Sequence, residues 1–157
     1  DAPLVETMGF NWEDIDNILT GWELEGWGPC DALVLDYADI LAPPKGSKMD
    51  VRDQINRTWE QLRALSLKRH LLLVSATQTN RESYDSRTIN RRHASEDKRK
   101  WAHVTAAYGL NITSEEKERQ LMRLNYIVRR EGAYNSTKSC HLAQCLALAN
   151  PCVRSCF

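Results

Sequence analysis

Three groups of side chains in this chain have types and spacing that can carry chemistry. The first is Asp36, directly after the apolar run Ala32-Leu33-Val34-Leu35. A run this short without alternation reads as a buried strand. A carboxylate at the C-terminal end of such a strand stands where α/β sheets hold ligands, and it can also simply cap a turn. The second is Gln78, 42 positions later, where the apolar run Leu71-Leu72-Leu73-Val74 gives way to Ser75-Ala76-Thr77-Gln78-Thr79-Asn80-Arg81. A glutamine both donates and accepts, so it can orient water or sense a phosphate; the plainer reading is an exposed loop amide. The third is a cluster of cations, Arg81, Arg87, Arg91, Arg92, Lys98, Arg99 and Lys100. Phosphate contacts need flexible cations in number. Tyr84 and Trp101 flank the cluster and can stack on bases. The alternative is a solvated loop paired with acidic residues elsewhere.

A fourth group is weaker. Cys140, Cys145, Cys152 and Cys156 follow a C-x4-C-x6-C-x3-C spacing with His141 adjacent. Four soft ligands can hold zinc, but no C-x2-C knuckle is present, and Cys is often a small buried hydrophobe. His70, His93 and His103 show no ligand spacing and read as structural. No Ser-His-Asp, Cys-His or paired-carboxylate arrangement follows from spacing alone.

Helices and strands must position these groups. Asn11 is a helix N-cap with Asp14 three residues on, and Ile15, Ile18, Leu19 and Trp22 follow at helical spacing up to Gly26. Asp50 caps a second helix with the stripe Val51, Ile55, Trp59 and Leu62. The order is helix, strand, helix, strand, which argues for a parallel α/β sheet. A right-handed crossover would then bring Asp36 and Gln78 to one sheet edge. Residues 79–100 form a loop too long for a simple connector. Beyond it, alternation over Val104–Leu110 predicts a third strand; Ser114–Gln120 reads as a short charged helix, Leu121–Val128 as a fourth strand and Cys140–Leu148 as a fifth, where the Ala/Leu content also permits helix.

The chain has 157 residues, 42% hydrophobic and 27% charged. That composition is ordinary for a globular domain and excludes collagen-like and disordered classes. The length points to one domain spanning 1–157, with an acidic helical region at 1–30, the basic loop at 79–100 and a cysteine-containing tail at 149–157. No apolar run is long enough to cross a bilayer, and Asp1-Ala2-Pro3 does not begin a signal peptide. Five cysteines cannot all pair within one chain, so the expected location is cytoplasmic with thiols mostly reduced. The net charge of zero hides a split: residues 1–44 carry −10 and residues 45–157 carry +10. Either a basic face awaits a polyanion, or oppositely charged elements pack together. The packing reading is the first choice.

Four apolar residues followed by Asp form the pattern of a Walker-B strand. The stretch Leu33-Val34-Leu35-Asp36-Tyr37-Ala38-Asp39-Ile40-Leu41 resembles that strand in RecA-like ATPases, above all the DnaB-type replicative helicases and their phage-encoded relatives. Ser75–Arg81 resembles the family's following motif, and the basic loop is similar in placement to its DNA-binding loop. Val128-Arg129-Arg130-Glu131-Gly132 resembles the strand end that carries its arginine finger. The resemblance covers roughly residues 15–148 and implies an α/β RecA-like P-loop NTPase half-domain. Its central sheet would be mostly parallel with flanking helices and a C-terminal antiparallel hairpin.

Several roles are implied by that resemblance. Asp36 would hold Mg2+ through water on ATP. Gln78 would sense the terminal phosphate and relay its presence to the loop. Arg130 would serve a neighbouring subunit of a homo-oligomeric ring or filament. Arg87, Arg91, Arg92, Lys98, Arg99 and Lys100 would bind single-stranded DNA. Val128 stands where a Lys is common, and Asp39 where a Gln is common. No Gly-x-x-x-x-Gly-Lys-Ser/Thr occurs anywhere in the chain. The phosphate cradle lies upstream in the family, and 35 residues before Asp36 leave little room for it. The expectation is therefore the C-terminal half of an ATPase core, partnered by an N-terminal half carrying the Walker A loop and inactive alone. The alternative is a non-catalytic nucleic-acid- or protein-binding module on the same fold.

Overall fold

The computed structural model describes residues 4–6, 9–43, 46, 48–80, 86–93 and 98–149. The chain divides into two units, residues 1–78 and 79–157, and each is described by itself.

In the first unit, the Asn11 side chain accepts hydrogen bonds from the Glu13 and Asp14 N–H groups at 2.8 and 3.0 Å. Asp14 reciprocates by accepting from the Asn11 N–H at 3.0 Å. This closed pair of bonds satisfies donors that a helix leaves orphaned, and it opens α1 (Trp12–Leu24). Ile15 and Leu19, one turn apart, are buried. Asp50 opens α2 (Val51–Arg69) by accepting from the Asp53 N–H at 2.8 Å. Ile55, Trp59, Leu62 and Leu65 form its buried stripe. Val51, expected on that stripe, sits in the first turn and is exposed. α2 packs on α1 and on the strand that follows it. Its last turn closes at His70, in the left-handed region with φ 54°, and Ser66 accepts from the Leu71 N–H while its hydroxyl donates to the Leu71 carbonyl. The chain thereby passes directly into a strand.

That strand, β2 (Leu72–Ser75), pairs in parallel with β1 (Ala32–Leu35), in register from Ala32↔Leu72 to Leu35↔Ser75. The expected burial on both faces is met on one. Leu35 is buried, whereas Val34 is 74% and Leu72 64% exposed. Among the described residues nothing covers the outer face.

The charge split is explained in part by packing. Arg69 of α2 grips α1 with its whole guanidinium: Nε donates to the Asp16 carboxylate, Nη1 to Glu23 at 2.9 Å, and Nη2 to the Asp16 carbonyl at 2.7 Å. Lys68 adds a second bond to the Asp16 carboxylate at 2.8 Å. Burial alone would raise the Asp16 carboxyl, but the two cations outweigh it and hold the group below its usual value. Acidic α1 is thus bound to the basic end of α2.

The second unit is built on an antiparallel meander of β3 (Ala106–Asn111), β4 (Leu121–Arg129) and β5 (Ser139–Ala143). The antiparallel part is one strand larger than the expected hairpin. β5 is shorter than its expected span because Leu121↔Ala143 is the last pair that β4 can offer. Beyond it Leu146–Leu148 forms a 3-10 turn. Between β3 and β4, Thr113 and Glu116 cap the short helix α3 (Ser114–Glu118) reciprocally.

Candidate functional site

β1 and β2 end side by side, and the residues just beyond them are tied together. Ser75, at the end of β2, donates its hydroxyl to the Leu35 carbonyl at 3.0 Å and accepts from the Ala38 N–H at 2.9 Å. This locks the start of the 3-10 turn Ala38–Ile40, which carries the chain away from β1. Asp39 in that turn accepts from the Trp59 indole N–H at 2.7 Å and from the Thr77 hydroxyl. One carboxylate therefore joins α2 to the segment after β2. Gln78 donates its amide N–H to the Tyr37 hydroxyl at 3.1 Å. The Asp36–Tyr37 peptide bond is cis, and Asp36 itself is exposed.

Asp36 and Gln78 are thus brought to one edge of the parallel pair. The arrangement presents the Asp36 carboxylate to solvent one residue before Tyr37, which holds an amide that can donate or accept. Such a set suits a hydrated divalent cation and a phosphate oxygen. Sequence reasoning left Asp39 without a role and passed over Tyr37, Ser75 and Thr77. A polar residue at a strand end carries no local signal of the partner it meets on the next strand.

The basic residues are placed differently from one another. Arg87, Arg92, Lys98 and Arg99 are exposed. Lys100, by contrast, is fully buried, so its ammonium is not presented to a ligand. Arg91 is exposed but engaged: Nε donates to the Ile127 carbonyl and Nη2 to the Tyr134 hydroxyl, each at 3.2 Å. Its own carbonyl accepts from the Trp101 indole at 3.2 Å. Arg81 and Tyr84 lie outside the described residues. His93 is buried and accepts from the Asn90 N–H at 3.2 Å, a structural role as expected.

A buried polar network holds this segment to the sheet. Asn111 of β3 accepts from the Ile89 N–H at 2.6 Å and donates to Asn125 of β4 at 2.7 Å. Asn125 donates in turn to the Ile89 carbonyl at 3.0 Å. Arg123 donates to the Arg87 carbonyl at 2.7 Å and is paired with Glu116. The Arg123 hydrogen bond, reinforced by Thr113 and outweighing burial, holds the Glu116 carboxyl below its usual range. The backbone around Arg87 and Ile89 is therefore fixed even though the Arg87 side chain is exposed.

Arg130 donates from Nε to the Val104 carbonyl at 2.8 Å and from Nη2 to the Ala102 carbonyl. Its guanidinium ties the end of β4 to the approach to β3. Neighbouring Arg129 instead lies 5.4 Å from the Tyr126 ring centroid.

The zinc reading is not supported. Against the expectation of mostly reduced thiols, Cys140 is disulfide-bonded, and a disulfide sulfur is not a thiolate ligand. Cys30 and Cys145 are free, and Cys152 and Cys156 lie outside the described residues. Among the described residues no group of three His, Cys, Asp or Glu side chains is placed to hold a metal. None of the described helices is long and apolar enough to cross a membrane.

No family model and no curated protein matches this sequence. Solved structures do. One is an ATPase domain, which superposes on 87% of the chain with a TM-score of 0.74 at 14% identity. Another is a DnaB-like replicative helicase, solved with attention to its interactions with primase, which superposes on 90% with a TM-score of 0.77 at 13% identity. The chain therefore shares the fold of the helicase ATPase domains on which it superposes, the fold that the family resemblance implied. The chain spans 49% of the first structure and 35% of the second.

Proposed function

We propose that this chain is the Walker-B-containing part of a RecA-like, DNA-dependent ATPase or helicase core. The observation that carries the reading is the joined pair of strand ends, with Asp36 exposed and Gln78 held on the next residue, Tyr37. Asp36 would hold Mg2+ through water, and the ion would supply charge neutralisation on the nucleotide phosphates. Gln78 would meet the terminal phosphate. Losing or gaining its bond to Tyr37 would pass that state to the segment beginning at Thr79. The exposed cations Arg87, Arg92, Lys98 and Arg99 would take the phosphates of single-stranded DNA.

The residues present fit the metal side of such a site and not the phosphate side. The sequence holds no glycine-rich phosphate loop with its lysine, so a cradle would have to come from residues outside these 157. The uncovered apolar face of Val34, Leu72 and Val74 supports a further segment packing on the first unit. A finger role for Arg130 toward a neighbouring subunit of a homo-oligomer requires it to leave the Val104 and Ala102 carbonyls on assembly.

Manganese substituted for magnesium tests the central claim. With ATP present, Mn2+ should broaden the amide NMR signals of residues 36–39 and 75–78, and the Asp36→Asn variant should lose that pattern. Broadening that is centred elsewhere, or unchanged in the variant, overturns the reading. The non-catalytic alternative gains if DNA binding survives while Mn2+ finds no site at Asp36.

A further inference from the structure

The second unit has two unlike sheet faces. Asn111, Arg123, Asn125 and Ile127 are buried on one, where the segment 87–91 lies. Tyr108, Leu110, Leu124 and Tyr126 stand on the other, and Tyr108 is 50% exposed. The register slips between Ala107 and Tyr108, so that Tyr108 pairs directly with Tyr126. An irregularity of this kind re-aims side chains, here placing two aromatic rings together. Their centroids are 4.9 Å apart and tilted by 41°. Tyr134, from the turn before β5, continues the row with its ring 5.8 Å from that of Tyr126.

These rings line a cavity of about 560 Å³ whose rim also carries Arg129 and Lys138. Among the described residues no carboxylate lines it. Arg91 reaches the same row through the Tyr134 hydroxyl. Its second bond, to the Ile127 carbonyl at 3.2 Å, fixes the guanidinium at the edge of the rings. Among the described residues the surface thus combines aromatic faces with three cations and no competing anion.

We propose that the Tyr108–Tyr126–Tyr134 face, rimmed by Arg91, Arg129 and Lys138, is a stacking platform for unpaired bases of single-stranded nucleic acid. Every base has a π-face, and its flanking phosphates meet cations at the rim, which makes such a surface tolerant of sequence. Arg129 stands at the Tyr126 ring and Arg91 at the Tyr134 hydroxyl, so cations accompany successive rings of the row. That spacing suits a strand with one phosphate per base better than a compact polyphosphate. The inference deepens the nucleic-acid part of the proposed function and rests on it, but it adds contacts to bases where the loop offers contacts to phosphates. Hydrogen bonding with Tyr126, with partial burial, holds the Tyr108 hydroxyl above its ordinary value. The ring is therefore neutral throughout the range in which binding would be measured.

Fluorescence anisotropy with a labelled oligothymidylate and an abasic strand of equal length separates the two kinds of contact. The base-bearing strand should bind the wild-type chain more tightly. Tyr108→Ala should weaken that binding by about 5- to 100-fold while leaving abasic binding unchanged. Tyr108→Phe, which keeps the ring, should retain affinity. Arg92→Ala with Lys98→Ala should weaken both strands alike. Equal wild-type affinity for both strands, or full affinity in Tyr108→Ala, overturns the platform and leaves the loop reading standing. Failure of wild-type protein to bind either strand overturns both. A mononucleotide that displaces the oligomer at its own dissociation constant marks a free-nucleotide site instead, and the platform falls. Circular dichroism melts establish that each variant is folded.

Discussion

Glu116 shows how much one side chain can do where two elements meet. Its carboxylate caps α3 and pairs with Arg123, whose side chain is only 6% exposed. Because its folded value lies below the ordinary 4.5, the pair adds stability above that pH and loses it as pH falls through the depressed value. Glu116→Gln should therefore cost about 1–3 kcal/mol near neutrality, by leaving Arg123 short of a charged partner. The gap to wild type should close well below pH 4.5, where both side chains are neutral. Urea titrations at neutral pH and at a pH below the depressed value decide this; an equal gap at both would mean that the ion pair contributes nothing. Asp39 makes a parallel case in the first unit. Asp39→Ala leaves the buried Trp59 indole and the Thr77 hydroxyl without this acceptor, and thermal melts should register a loss of about 1–3 kcal/mol. Neither role was legible in the sequence, where Glu116 was one acid in a charged helix and Asp39 an unassigned neighbour of Asp36. Both act on residues that only the fold brings near.

Elements were more readable than residues where their signals are local. Asn11 with Asp14 and Asp50 with Asp53 announce helix starts because donor and acceptor lie within one turn, and both helices begin where those residues stand. The apolar runs at 32–35 and 71–74 became β1 and β2 within one residue. What the pattern did not give was which face each strand leaves bare, or how the segment 86–93 is held, since both depend on cross-strand register. Gly109 illustrates this. It lies opposite Asn125, and a Cβ placed there would sit 2.7 Å from the Asn125 side-chain oxygen and 3.1 Å from Ile89 Cβ. That oxygen is already held by Asn111, so it cannot yield without breaking the network. Gly109→Ala should cost about 1–3 kcal/mol in stability. It should also speed hydrogen exchange at the Ile89 amide, which Asn111 otherwise holds. Unchanged exchange at Ile89 would show that the segment is fixed by other contacts. Asn11→Ala, affecting only a cap, should cost about 1 kcal/mol and leave Ile89 untouched.

For the chain as a whole, the central question is whether 157 residues with the proposed half of a nucleotide site can turn ATP over. Phosphoryl transfer is catalysed mainly by positioning and by charge placed around the phosphates. In the proposed site, one exposed carboxylate and one amide would supply part of the charge and polarity and little of the positioning. Without the glycine-rich loop that the sequence lacks, bound phosphates would remain solvated, and the barrier would stay near that of the uncatalysed reaction. Steady-state phosphate release with Mg2+ and ATP should therefore be no faster than in the Asp36→Asn variant, with or without single-stranded DNA. Robust turnover that Asp36→Asn abolishes would mean that these residues assemble a complete site by another route. The exposed sheet face gives the complementary expectation. Val34→Thr with Val74→Thr should leave the melting temperature of the chain nearly unchanged, because both side chains already face water. If a cradle-bearing segment packs on that face, the same pair of substitutions should weaken its association with the chain by about tenfold, at roughly 0.8 kcal/mol for each buried methyl lost. Turnover in the joined assembly should fall with that association, while Asp36→Asn should abolish turnover without disturbing it. Separating the two effects distinguishes a residue that acts on the phosphates from a surface that brings the phosphates within its reach.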